Sequence, residues 1–394
     1  MKLGYLCADP GIPVFGRKGS SLHVQEMCRA FQKLGMEVTL FARRMGDNRP
    51  ADLQSMRFVP LPGLANLQGE AREQAALASN VQIRHRVIEH GPFDMVYERY
   101  SLWSHAASTA TRATGTATVL EVNSPLIEEQ RRYRVLYDQD GALAASRKVF
   151  DAADLIIAVS DEVADYLTRF PQTRSKVQVI PNGVNTERFS DTATARAQRD
   201  GFFTVGFIGT LKPWHGVELL LQAFRKFNQT APVSRLLIVG DGPERAALER
   251  STHHLGITDS VEFTGAVAPD RVPQLLARMD VGMAPYPALK SFYFSPLKLY
   301  EYLAAELPVI ASSIGQIKSL LEVAGVGIPC KPGSIPDMVN ALNKLYADPG
   351  LRAQMGGKGR ALVLSQYTWD SVAHSVVQLA GLHLGNAATQ RAWQ

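Results

Sequence analysis

Thr204-Val205-Gly206-Phe207-Ile208-Gly209-Thr210-Leu211-Lys212-Pro213-Trp214-His215-Gly216 decides the reading of the fold. A short apolar run ends on a glycine. A loop with two basic residues follows, and a helical stretch begins after Gly216. The same sentence repeats downstream in Arg235–Gly242 (RLLIVGDG), Ser260–Val267 (SVEFTGAV), Asp280–Tyr286 (DVGMAPY), Leu307–Ser312 (LPVIAS) and Val326–Cys330 (VGIPC), each followed by a helical stretch. Continuous apolar strands are buried on both faces, and intervening helices are the crossovers that parallel strands need. The pattern predicts an α/β, doubly wound parallel sheet.

Upstream of residue 193 the alternation runs once before. Met1–Ala8 is a strand and Asp9–Gly19 a Gly/Pro-rich loop. Ser20 or Ser21 caps a helix whose apolar positions Met27, Ala30, Phe31 and Leu34 recur at helical spacing, and Gly35 stops it. Glu37–Ala42, Asp94–Tyr100, Thr116–Ser124, Asp154–Ser160 and Val177–Gly183 continue the series. The polar, small-residue stretch Asp191–Gly201 reads as a linker. Two domains are therefore expected: residues 1–193 and residues 200–371, with a C-terminal helix at about 372–386 packing back on the first and a loose tail from about Gly385. Two such sheets are expected to face a central cleft, with ligands beyond the carboxyl ends of the strands.

The chain has 394 residues, more than one core usually holds. Apolar residues make up 46% and charged residues 20%, which suits a folded domain and argues against long disorder. No apolar run approaches a spanning length, and the start is too short in apolar residues for a secretory signal. Net charge is +1 over residues 1–193 and +4 over residues 194–394, so neither half is a nucleic-acid platform. Three scattered cysteines (Cys7, Cys28, Cys330) form neither a disulfide framework nor a zinc pattern and suit a reducing, cytoplasmic setting.

The strand ends carry the candidate chemistry. Lys212 and His215, between Gly209 and Gly216, suit a diphosphate through amide donors and cations, with a solvated loop as the bland alternative. Gly240-Asp241-Gly242-Pro243 opens a helix after an apolar strand and is equally readable as a plain tight turn. In Tyr293–Glu301 (YFSPLKLYE) a helix is expected to start at Ser295 or Pro296, its first amides facing a phosphate. Glu301, about a turn in, can accept two ribose hydroxyls, or it is an exposed surface glutamate. Asp138-Gln139-Asp140 is a DxD triplet in a polar helical stretch, and metal binding there is the weaker reading; no His/Cys cluster offers a transition-metal site.

These pieces, in order, resemble the family 4 glycosyltransferases of the GT-B fold. The carriers are Pro181–Phe189 (PNGVNTERF), Gly209–Gly216, Leu237–Pro243, Val261–Gly265 and Ser295–Ser312 (SPLKLYEYLAAELPVIAS). The resemblance implies two Rossmann-like domains and retaining transfer of a sugar from a nucleotide donor, a UDP-sugar favoured, to an acceptor hydroxyl, with no cofactor and no metal. Glu301 matches the second glutamate of the family's Glu-x7-Glu motif, on the ribose. Ser295, Leu297 and Lys298 match the segment near the diphosphate. Gly209, Thr210, Lys212 and His215 match the basic loop, with Gly240 and Gly242 beside it. Asn123 falls where many members have a histidine near the transferred sugar, and Gly19 in a first-domain loop that approaches donor or acceptor. Asn123, Lys212 and Glu301 are the expected catalytic set.

The departures are specific. Tyr293 stands in place of the first motif glutamate, Thr210 in place of an arginine, His215 in place of a lysine, Glu306 in place of a glycine and Asn185 in place of an aspartate. They bear on the donor sugar more than on the diphosphate. The competing expectations are a nucleotide-sugar-binding protein without transfer activity and a sugar-nucleotide epimerase. Partners are a donor and a hydroxyl-bearing acceptor, no nucleic acid, and at most peripheral membrane contact.

Overall fold

The computed structural model describes residues 1–46, 49–64, 67–190, 192, 201–289 and 292–384. Most of the expected linker Asp191–Gly201 and the tail from Gly385 lie outside the described residues. The chain forms two compact units. The first holds Met1–Asn182, the short segment Tyr293–Ser295 and the C-terminal helix Trp369–Leu384; the second holds Gly183–Phe292 and Pro296–Thr368.

The first unit is a seven-stranded sheet of β1 (Lys2–Cys7), β2 (Glu37–Ala42), β3 (Arg57–Pro60), β4 (Met95–Arg99), β5 (Ala117–Val122), β6 (Leu155–Ala158) and β7 (Val177–Val179). Their order is β3-β2-β1-β4-β5-β6-β7, and every pairing is parallel. The central strands β4, β5 and β6 are buried along their whole length, as the continuous apolar runs require. The sequence reading omits β3, a four-residue edge strand ending in proline, where a missing amide does least harm. The first helix spans Gly19–Lys33 and starts from Lys18, slightly before the serines expected to cap it. Its buried face includes Val24, Met27, Phe31 and His23.

The second unit is a six-stranded sheet of β8 (Phe203–Ile208), β9 (Ser234–Val239), β10 (Val261–Gly265), β11 (Val281–Ala284), β12 (Val309–Ser312) and β13 (Gly327–Cys330). The order β10-β9-β8-β11-β12-β13 is again all parallel. Helix Val217–Thr230 covers one face with an i, i+3, i+4, i+7 stripe of Val217, Leu220, Leu221, Phe224 and Phe227, all fully or nearly fully buried. Burying each such large side chain contributes roughly 1.5–3 kcal/mol. Phe227 and Phe203 both lie against the ring of Tyr346 on helix Ile335–Ala347, at centroid separations of 5.7 and 5.2 Å.

Both sheets reverse their winding at one place, between β1 and β4 in the first and between β8 and β11 in the second. Crossover helices on opposite faces diverge there and leave the strand ends open to a ligand. All three cysteines are buried free thiols.

Candidate active site

The ends of β8 and β11 bring the second unit's expected residues together. Gly209 ends β8 with φ +143°, and Gly240 ends β9 with φ +133°. A Cβ on Gly240 would fall 2.1 Å from the Gly209 carbonyl oxygen. The two turns are laced by Leu211 N–H donating to Asp241 O at 2.9 Å and Glu244 N–H donating to Leu211 O at 3.2 Å. Gly216, in the left-handed region at φ +69°, passes so close to Pro285 that a Cβ would sit 1.8 Å from its carbonyl oxygen. Backbone proximity thus accounts for Gly240 and Gly216 without a ligand, and what it creates is a rigid rim around the β8 end.

Lys298 closes that rim. It lies in the first turn of helix Leu297–Ala304, which starts from Pro296, one or two residues later than the sequence predicts. Its side chain is buried, and Nζ has no hydrogen-bond partner among the described residues. Nζ stands over the Phe207 ring at 4.2 Å from the centroid and 5.5 Å from that of Tyr286. It also lies 3.0 Å from where a Cβ on Gly209 would be, so the absence of a side chain at Gly209 makes room for it. Burial pushes the Lys298 ammonium down to about 7, against a partial restoring pull from Glu301. Leu297 and Glu301 are half-buried on the same helix. The Leu297 and Lys298 amides at the start of that helix and the Lys298 nitrogen form a ready anion site.

His215 lies in the same loop. Its Nδ1–H donates to the Thr210 carbonyl. Burial, followed by the charges of Lys298 and Lys212, holds it down to about 3, against the Thr210 bond. With that shift the ring is neutral at ordinary pH and its Nε2 is an acceptor, which leaves Lys212 as the cation of this loop. Its ring stands edge-on to Tyr286 at 5.9 Å. Lys212 is half-buried, with Nζ 5.5 Å from the Trp214 ring centroid, and the Thr210 side chain is exposed.

The first unit holds the remaining expected residues. Tyr293 belongs to the first unit. Its ring packs among Tyr100, Phe150, Val163 and Tyr166, its hydroxyl donates to Glu129, and its carbonyl accepts from Ser160 Oγ at 2.9 Å. Ser295 is tied there too, with Oγ accepting from Asn182 N–H at 3.1 Å and its carbonyl accepting from Asn182 Nδ2 at 2.9 Å. Gly19 is the first residue of its helix, and Asn123 follows the end of β5.

Beside Asn123 lies a cluster that sequence reasoning missed. Glu121 sits 2.7 Å from His23 Nε2 through Oε1 and 3.2 Å from Arg99 through Oε2. Arg99 and Glu121 are direct partners in the β4–β5 register. Burial alone would raise the Glu121 carboxyl; His23, Arg99 and the Asn123 amide hold it down to about 2. Burial also lowers His23, whose ring lies 4.8 Å from that of Trp369 on the C-terminal helix. The available signal was charge within otherwise apolar strands, Glu98 and Arg99 in β4 and Glu121 in β5.

The DxD pair has a structural use. Asp138 caps helix Gln139–Ala152, accepting from Gly141 N–H at 2.7 Å. Among the described residues no group of three or more His, Cys, Asp or Glu is arranged to hold a metal ion.

Two parallel-sheet, Rossmann-like units with open strand ends are the architecture of the GT-B glycosyltransferases. This chain belongs to glycosyltransferase family 4: residues 17–188 match the model described as Glycosyltransferase Family 4, and residues 191–362 match that of Glycosyl transferases group 1. The GDP-mannose-dependent alpha-(1-6)-phosphatidylinositol monomannoside mannosyltransferase of Mycobacterium tuberculosis is 27% identical over 77% of this chain and 84% of its own length. The D-inositol 3-phosphate glycosyltransferase of Salinispora arenicola is 23% identical over 92% of this chain and 87% of its own. In fold the chain is similar to sucrose-phosphate synthase from Thermosynechococcus elongatus, with a TM-score of 0.76 and 21% identity over 98% of this chain and 99% of that one. It is likewise similar to WaaG, a glycosyltransferase involved in lipopolysaccharide biosynthesis, with a TM-score of 0.73 and 15% identity over 96% and 100%.

Proposed function

We propose that this glycosyltransferase retains anomeric configuration, works without a divalent metal, and binds its nucleotide-sugar donor on the second unit. The observation that carries the reading is the buried, unpartnered Lys298 nitrogen beside Gly209, at the start of the helix that bears Glu301. The donor diphosphate lies against Lys298, the amides of Leu297 and Lys298, and the Gly209–Gly216 loop with Lys212. Glu301 accepts the ribose hydroxyls. The acceptor oxygen bonds to the anomeric carbon as the bond to the phosphate oxygen breaks, and the acceptor proton passes to that leaving oxygen. Charge growing on the diphosphate meets fixed donors that need no reorganisation, the usual source of such catalysis. The ring becomes oxocarbenium-like, as in glycoside hydrolysis. Asn123, which follows the end of β5, is the residue assigned to the transferred sugar.

UDP is the donor nucleotide that the resemblance favours. The M. tuberculosis relative is named for GDP-mannose, so the donor test must span both. The acceptor is a hydroxyl compound bound by the first unit. The two relatives point to an inositol phosphate or a phosphatidylinositol glycolipid, the latter reached through peripheral membrane contact from the cytoplasm. No helix among the described residues is long and apolar enough to cross a membrane.

A second reading, nucleotide-sugar binding without transfer, is favoured by Tyr293, which is packed into the first unit and leaves the first motif glutamate without a replacement. Release of nucleoside diphosphate from UDP-glucose, GDP-mannose and ADP-glucose, with myo-inositol 3-phosphate and phosphatidylinositol as acceptors, separates the two. Turnover supports transfer, and saturable binding with no turnover supports the second reading.

A further inference from the structure

We propose that donor binding takes up a proton onto Lys298, so that the diphosphate completes a site whose cation is only partly formed before the ligand arrives. This rests on the donor-site reading above. The geometry is a buried nitrogen that, among the described residues, has no hydrogen-bond acceptor and faces the rings of Phe207 and Tyr286. A lysine ammonium has three donors and loses its hydration on burial, so the neutral amine is favoured until an anion enters.

The surrounding groups do not supply that anion. On Lys298's own helix Glu301 exerts only a partial pull, and the Tyr302 hydroxyl is engaged, accepting from Ile208 N–H at 2.8 Å and donating to Met283 O at 3.2 Å. From the turn after β8 comes His215, held neutral by burial and so no anion. From the end of β11 comes Tyr286, whose hydroxyl is pushed upward by burial and stays protonated. The phosphates of a nucleotide sugar are diesters, ionised throughout the neutral range. The ligand therefore brings charge but no proton, and any uptake belongs to the protein. Affinity should fall as pH rises above 7, by up to about 10-fold per unit, because the free protein then lacks the proton that the complex holds.

Calorimetric titration of the full chain with UDP-glucose and with GDP-mannose, at pH 8 in buffers of differing ionisation enthalpy, reads the protons directly. The expected slope is roughly 0.5–0.9 of a proton taken up per site at pH 8, falling toward zero at pH 6. Lys298→Arg, whose guanidinium stays charged, should bind with no uptake, and His215→Gln should keep it. Saturable binding with a zero slope in the wild-type protein overturns the proposal while leaving the donor site standing. Uptake that survives Lys298→Arg or vanishes in His215→Gln also overturns it. If neither nucleotide sugar binds the folded protein at all, the donor-site reading falls and takes this proposal with it. Should the arginine variant fail to fold, the wild-type slope and the fall in affinity from pH 7 to pH 9 decide alone.

Discussion

Lys298 shows how one residue can be costly to the free protein and useful to its ligand. Its native ammonium is held well below the value of an unfolded lysine, so the unfolded chain binds more protons between about pH 7 and pH 10. Stability linked to this group therefore rises with pH across that window and is lowest near neutrality. Lys298→Met should stabilise the ligand-free protein by about 1–3 kcal/mol at pH 7, read as a higher melting temperature, and abolish the upward shift produced by a nucleotide sugar. A lower melting temperature in that variant would show the buried nitrogen to be stabilising. Glu301→Ala should weaken donor binding by about 1–3 kcal/mol with little effect on ligand-free stability, measured by titration calorimetry alongside thermal melts. At this scale the sequence was only partly legible. Glu301 could be reasoned from spacing after the proline, but nothing in SPLKLYE says that Lys298 is buried against Phe207, a residue 91 positions away. For the His23–Glu121–Arg99 cluster the charges inside the strands were visible but their meeting was not, since Arg99 and Glu121 pair only through the β4–β5 register and His23 comes from the first helix. His215 reads in sequence as a cation and is neutral because burial outweighs every favourable contact.

At the scale of elements, the tight turns at the β8 and β9 ends fix the rim of the site. Gly240→Ala combines a backbone region disfavoured for side chains with a Cβ 2.1 Å from a carbonyl oxygen, and Gly216→Ala does the same at Pro285. Neither obstruction is a flexible side chain, so each should cost about 3 kcal/mol or more, read as a lowered denaturation midpoint. Gly35→Ala, also at positive φ but with open space around it, should cost only about 1 kcal/mol. Long apolar strands and amphipathic helices were visible in the sequence because burial on both faces imposes a continuous run and one-sided burial imposes a helical period. The edge strand β3 was not visible, because an edge tolerates a short, proline-ended stretch. The polar helices Gly69–Ala78 and Asn80–His90 bury few residues and so carry little period. Glu306, where family members carry glycine, adopts φ +56°, which explains the family's preference at that corner.

For the whole molecule, the central claim is that a family 4 glycosyltransferase can neutralise its leaving diphosphate with Lys298, Lys212 and helix amides alone. Asp138→Asn with Asp140→Asn should leave turnover within a few fold, because asparagine also caps a helix and neither carboxylate is assigned to the donor. The most direct test is to follow sugar transfer, or donor hydrolysis where no acceptor is accepted, from α-linked UDP-glucose and GDP-mannose in excess EDTA. The product anomer is assigned by proton NMR before mutarotation. The account predicts undiminished turnover with the α configuration retained. Turnover that is abolished by EDTA and restored by Mg²⁺ or Mn²⁺, or a β product, would contradict it.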